Sequence, residues 1–175
     1  MIFFVRGIRV KLLILQYIQT HPGNFSIFSV EEMRHGEVHP NDREKASFLK
    51  ENILPIEESG QLKFVEVAES KNGKLGEMNF AENIAVRFVS GHTDNMMLPQ
   101  IKYKDRTIVF MADLLPSQGH IPIPYVMAYD MFPLTTLNEK KSFLTEALEG
   151  DYTLFFEHDP IYECCNLQQT ERGIR

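Results

Sequence analysis

A chain of 175 residues with 24 acidic and 18 basic side chains carries a formal net charge of −6. It is long enough to bury one sizeable core, so a single globular unit over residues 1–175 is expected, and without a basic stripe it offers no face for nucleic acid or another polyanion. The two cysteines, Cys164 and Cys165, are adjacent, which excludes the spaced disulfide framework of a small secreted domain and points to a reducing, cytoplasmic setting.

The N-terminus, Met1 to Ile18, is apolar but interrupted by Arg6, Arg9 and Lys11. That is too much charge for a bilayer-spanning segment, and no small-residue cleavage site follows, so Ile8 to Ile18 is read as a strand and no membrane partner is expected. His21 follows in a Thr-His-Pro-Gly turn. His35 and His39 stand one helical turn apart, a chelating spacing if the segment is helical, but Gly36, Pro40 and the acidic neighbours favour a solvated face. Asn41-Asp42-Arg43-Glu44 has the capping-box form, with Ala46, Leu49 and Ile53 on one face, and predicts a helix that stops before Pro55.

Leu62 to Val67 reads as a strand, and Asn72-Gly73 within the polar stretch from Glu69 to Gly76 reads as a turn between strands. The apolar runs Ile84–Val89, Met96–Tyr103, Thr107–Met111 and Tyr152–Phe156 are further strands, with Lys104-Asp105-Arg106 joining two of them. Met96-Met97-Leu98 is apolar packing. Thr136-Leu137-Asn138-Glu139 is a second capping box opening a helix with Leu137, Leu144 and Leu148 at helical spacing and Gly150 as its stop. The pieces alternate as in an α/β protein. The segment from Pro116 to Pro133 holds four prolines, so it is a stiff loop of the kind that shapes a pocket; His120 is its pocket candidate, with Tyr125, Tyr129 and Asp130 as hydrogen-bonding groups. Cys164 and Cys165 read as small residues packing near the last strand.

Three polar motifs stand where strand-like runs end: Gly91-His92-Thr93, Ala112-Asp113-Leu114-Leu115-Pro116 and Glu157-His158-Asp159-Pro160. Imidazole and carboxylate are ligands for zinc-like and iron-like cations, and strand ends are rigid enough to hold them at bonding distance.

In order and context these motifs, together with His120-Ile121-Pro122 and Tyr125-Val126-Met127-Ala128-Tyr129-Asp130, resemble the metallo-β-lactamase superfamily in its lactonase-like metallohydrolase branch, from about Glu31 to the C-terminus. The resemblance implies an α/β fold of the αββα sandwich type, here mainly its C-terminal half, as one incomplete domain. It implies two divalent metal ions, zinc by default, with His92 on the first, Asp113 bridging both as the catalytic centre's carboxylate, and His158 on the second. The family's His-x-His-x-Asp-His run is absent; its nearest echo is the single His21. In lactonase-like relatives a tyrosine shortly after the bridging Asp contacts the substrate carbonyl. Leu114, Leu115 and Pro116 stand there in this chain, and Tyr129 is the substitute, beside His120.

The function so implied is hydrolysis of a small-molecule ester, lactone or similar bond by a metal-activated water. Each metal position would have only two of the three protein ligands a catalytic zinc normally has, so weak or absent activity is expected of this chain. A second reading is a non-catalytic pseudoenzyme or partner-binding subunit, possible as a homo-oligomer, whose exposed sheet face and strand edges invite association.

Overall fold

The computed structural model describes residues 2–3, 27–29, 39–45, 48 and 50–175. It divides into two compact units, Met1–Glu66 and Val67–Arg175. In the first, β1 (Ile2–Phe3), β2 (Ile27–Ser29) and β3 (Leu62–Phe64) form a parallel sheet in that order, with α1 (Lys50–Glu58) preceding β3. The proposed strand Ile8–Ile18, His21 and His35 lie outside the described residues, and His39 is exposed.

The first capping box is corrected to a turn. Asn41 Oδ1 accepts the backbone N–H groups of Arg43 at 2.9 Å and Glu44 at 3.3 Å, but the residues that follow, Asp42 to Lys45, form a turn. The described helix begins at Lys50 and runs through Pro55 to Glu58. A proline there removes one backbone donor but keeps a helical φ, so the helix continues, and it ends at Gly60, whose φ of +71° and N–H to the Glu57 carbonyl form a glycine C-terminus.

The second unit is built on a six-stranded sheet: β4 (Glu77–Ala81), β5 (Ile84–Val89), β6 (Met96–Tyr103), β7 (Arg106–Phe110), β8 (Thr153–Phe155) and β9 (Cys164–Asn166), ordered as in sequence. β4 to β7 form an antiparallel meander. Local turn chemistry fits this: Lys104 takes φ +56° in the two-residue turn between β6 and β7, and Asn72-Gly73, at φ +53° and +74°, closes a pair of backbone hydrogen bonds between Lys71 and Lys74. From β7 the chain crosses through α2 (Pro133–Glu149) to β8, which pairs parallel to β7, and β9 returns antiparallel. A small hairpin of β10 (Gln169–Thr170) and β11 (Gly173–Ile174) follows.

α2 corrects the second capping box. Its first residue is Pro133 and its N-cap is Phe132 without a side-chain cap, because proline's fixed φ suits the first helical position. Thr136 is therefore inside the helix, and Glu139 bonds elsewhere. The fully buried face is Thr136, Lys140, Phe143, Leu144 and Ala147, while Leu137 and Leu148 are only half-buried. Phe143, Leu144 and Ala147 pack with Val89, Leu98, Val109, Met111, Leu114, Leu115 and Leu154 into the core; Met96 joins them, as its apolar run predicts.

One buried cation ties helix to sheet. The Arg87 guanidinium, on β5, pairs with Glu146 of α2 at 2.5 Å and Glu77 of β4 at 2.9 Å and donates to Gln100 of β6 at 3.1 Å. Among the described residues no helix is long and apolar enough to cross a membrane.

The close approach of α2 to the end of β5 makes Gly91 obligatory: a Cβ there would lie 2.2 Å from Thr136 Oγ1 and 2.3 Å from the Thr136 backbone nitrogen. Gly91→Ala is expected to destabilise the protein by about 2 kcal/mol or more, since backbone must move. Gly119→Ala, whose Cβ meets only Ser117 Oγ at 3.5 Å, should cost much less. Urea midpoints of the two variants check this.

Candidate metal centre

β5 and β7 both run antiparallel to β6, and β8 runs parallel to β7. The C-terminal ends of β5, β7 and β8 therefore lie along one end of the sheet, and each of the three polar motifs leaves from one of them. After β7, Ala112 adopts φ +42°, a left-handed conformation that costs a residue with a Cβ about 1 kcal/mol or more. It turns the chain out of the strand one residue before Asp113, and the Leu114 N–H closes the turn on the Met111 carbonyl at 3.1 Å. After β8, the His158 N–H donates to the Pro116 carbonyl at 3.0 Å, tying the His158 loop to the loop that follows Asp113.

These ends bring His92, Asp113 and His158 together. Asp113 Oδ2 is 3.4 Å from His92 Nε2, and Asp113 Oδ1 is 3.4 Å from His158 Nε2. His92 and Asp113 are buried, whereas the His158 side chain is 49% exposed, so the cluster opens to solvent on the His158 side. Glu157 Oε1 stands 4.0 Å from His158 Nε2.

The tautomer of His92 is set from behind. Its Nδ1 is 2.9 Å from Oδ1 of the buried Asp130. An Nδ1–H donated to that carboxylate leaves Nε2 with its lone pair facing Asp113. Two electron-rich atoms facing each other at 3.4 Å call for a proton or a cation between them. The spacing suits a metal: two donors about 2.1 Å from one ion at the tetrahedral angle stand about 3.4 Å apart. Each Asp113 oxygen thus faces a different histidine nitrogen at that spacing. The three residues fit a shared carboxylate between two cation positions in kind and in spacing; among the described residues no group of three or more such side chains converges on a single position.

A further set of polar groups holds the loops. Glu139 of α2 accepts the backbone N–H groups of Ser90 at 2.7 Å and Gly91 at 3.0 Å; burial pushes its carboxyl up, and those two hydrogen bonds oppose the rise. Phe132 and Met131 donate to the carbonyls of Gly91 at 2.8 Å and His92 at 3.2 Å. Lys140, with no exposed surface, donates to the carbonyls of Pro122, Ile123 and Tyr125 at 3.1, 3.2 and 2.6 Å and so pins the proline-rich loop. Burial brings its ammonium down to about 8, and the Asp130 charge works against that. Asp159 accepts the N–H groups of Gln118, Ile161 and Tyr162 at 2.9, 2.9 and 2.8 Å, a second tie between the loops bearing Asp113 and His158.

The remaining sequence candidates distribute unevenly. His120 ends a short 3-10 turn, Gln118–His120, and its Nδ1 is 2.9 Å from Ser117 Oγ. Tyr129 is 80% exposed and Tyr125 serves through its carbonyl. Cys165 packs on the core while Cys164 is exposed, the alternation of a strand. Asp130, a hydrogen-bonding candidate of the loop, pairs with His92, while the roles of Glu139 and Lys140 escape a motif reading because their partners are remote in sequence. Lys140 left one trace, a charged residue on the apolar stripe of α2.

No protein-family model and no curated protein matches the chain. Among the solved structures similar to it is a probable metal-dependent hydrolase from Staphylococcus aureus, with a TM-score of 0.69 at 21% identity, covering 80% of this chain and 47% of its own. AidC, a dizinc quorum-quenching lactonase in complex with its product, aligns with a TM-score of 0.66 at 16% identity over 87% of this chain and 54% of its own. The hydrolase AbOPH of the beta-lactamase superfamily gives 0.64 at 17% identity over 87% and 54%. The chain spans about half the length of each. It has an α/β fold of the metallo-β-lactamase type, mainly the C-terminal half of that fold, in agreement with the sequence motifs.

His120 offers an independent check of the loop's electrostatics. Burial lowers its pKa first, the Lys140 charge lowers it further, and Asp130 pulls it back. Because the folded protein binds this proton less readily than the unfolded chain, the stability carried by neutral His120 is complete above about pH 6.5 and is lost as pH falls from there toward its folded value. An NMR titration is expected to place the His120 midpoint below 6.5 and to move it upward in Lys140→Met; a midpoint at or above 6.5 in the parent protein contradicts the arrangement.

Proposed function

We propose that His92, Asp113 and His158 are donors of a two-metal hydrolytic centre that acts on an ester, lactone or similar bond of a small molecule. The observation that carries this is the single buried carboxylate whose two oxygens each stand 3.4 Å from a different imidazole Nε2. The metal-dependent hydrolase and the dizinc lactonase with the same fold support the same class of chemistry. Bound divalent ions, zinc by default, would supply Lewis acidity and a water acidic enough to ionise near neutral pH.

The work of this chain's own residues is to hold that carboxylate and those lone pairs in place. Asp113 presents one oxygen to each position, His92 is locked by Asp130, and His158 stands at the open side. His120 and Tyr129 are assigned to the substrate side of the loop after Asp113, where His120 is neutral at pH 7 and can accept or donate one hydrogen bond. Two donors per position fall short of the three that a catalytic zinc takes from protein, so completion requires a donor beyond these three residues. In this reading the chain has low hydrolase activity.

Elemental analysis of the protein produced in zinc-supplemented medium tests the reading. On the order of one bound ion per chain, diminished by more than half in each of His92→Ala, Asp113→Ala and His158→Ala, is the expected result. Loss in His92→Ala and His158→Ala should be unequal, because among the described residues no carboxylate holds the His158 Nδ1 as Asp130 holds that of His92. No ion in any sample, or ions retained equally in all three variants, would remove the metal-centre reading and leave a non-catalytic binding role.

A further inference from the structure

The hydrogen-bond ladder between β5 and β6 ends at Val89 and Met96, so the next two backbone N–H groups, Ser90 and Gly91, have no strand partner. Gly91 is buried and Ser90 half-buried, and buried donors left unpaired are costly. One side chain answers both: Glu139, reaching from α2 with Oε1 at 2.7 Å from the Ser90 nitrogen and Oε2 at 3.0 Å from the Gly91 nitrogen. A carboxylate bridging two consecutive amides is a bidentate, charge-assisted clamp with a defined orientation. His92 is the very next residue.

The same turn of α2 reaches the other side of His92. Lys140 fixes the carbonyls of Pro122, Ile123 and Tyr125 in the loop that leads to Asp130, and Asp130 holds His92 Nδ1. The Met131 N–H, one residue further, donates to the His92 carbonyl at 3.2 Å. Consecutive residues of one helix therefore hold the loop of His92 and the loop of its carboxylate partner.

We propose that Glu139 is a positioning residue for His92: by clamping the Ser90 and Gly91 amides it sets the ring against Asp130 and so keeps the Nε2 lone pair aimed at Asp113. The consequence for metal affinity rests on the function proposed above; the consequence for the ring does not. A glutamate that merely stabilised α2 would leave the tautomer of a histidine on another element untouched.

The test compares Glu139→Gln, which keeps the size but replaces one acceptor oxygen by a donor NH2, with the parent protein in metal-free buffer. Amide hydrogen exchange at Ser90 and Gly91 is expected to accelerate about tenfold or more while Leu154 in β8 is unchanged. The Nδ1 resonance of the His92 ring, held against Asp130 in the parent protein, should shift or broaden in the variant. In a subsequent zinc titration the variant should bind about tenfold more weakly. Unchanged exchange at Ser90 and Gly91, or an unchanged His92 ring signature despite accelerated exchange, overturns the proposal. Failure of the parent protein to bind zinc would count against the metal-centre reading alone, because exchange and ring signature are read without metal. Leu154 protection reports folding in both proteins, and Glu139→Ala repeats the comparison if the amide variant loses it.

Discussion

A carboxylate held between two imidazole nitrogens requires three separate pieces of backbone to end at the same place and point the same way. The sheet meets that requirement through strand direction. Since β5 and β7 both oppose β6, and β8 is parallel to β7, three C-termini fall at one end of the sheet. A hairpin in place of the α2 crossover would have reversed β8 and put His158 at the opposite end. The parallel pair β7–β8 thus decides the site, and a parallel pair needs a long connection, commonly a helix. The helix that makes the crossover possible is also the element that holds the site's loops.

That double duty explains why α2 buries polar groups. Its inward face carries Thr136 and Lys140 beside Phe143, Leu144 and Ala147, and an ammonium with no exposed surface must find acceptors for its protons. Lys140 finds three carbonyls in the proline-rich loop, a segment whose carbonyls have few strand partners. Near the other end of the helix Glu146 meets Arg87 and the Tyr152 hydroxyl, at 2.5 and 3.1 Å. Removing one member of such a set strands the others in low dielectric, which is far more costly than the set is stabilising. The helix is therefore locked in position and register by charges at both ends of an apolar middle, and the loops attached to it inherit that rigidity.

Strands β5 to β8 of the second unit were legible because each is a short apolar run bounded by turn residues, whereas β4, β9, β10 and β11 carry no such run. Ile84–Val89 and Met96–Tyr103 match the observed elements, and Asn72-Gly73 forms the left-handed pair its sequence calls for. The polar residue just past three of those runs was equally legible. The helices were harder. Both capping boxes have the right letters, yet Asn41 caps only a turn and Glu139 spends its carboxylate on another loop, because a carboxylate bonds to whichever unpaired amides the fold brings nearest. Pro55 and Pro133 show the same limit: proline does not by itself say whether it stands inside a helix or at its start.

Residue type and spacing alone determined that the chain has α/β character, that His92, Asp113 and His158 stand at strand ends, and that the loop after Asp113 is rich in proline. These are local properties, written within a few residues of each other. Tertiary structure decided that the three side chains meet with one carboxylate shared at 3.4 Å on either side, that Asp130, 38 residues beyond His92, sets its ring, and that Glu139 and Lys140 hold the surrounding backbone. Each of those facts joins groups far apart along the chain, and such contacts depend on strand order, strand direction and the depth of burial, none of which a stretch of sequence carries by itself.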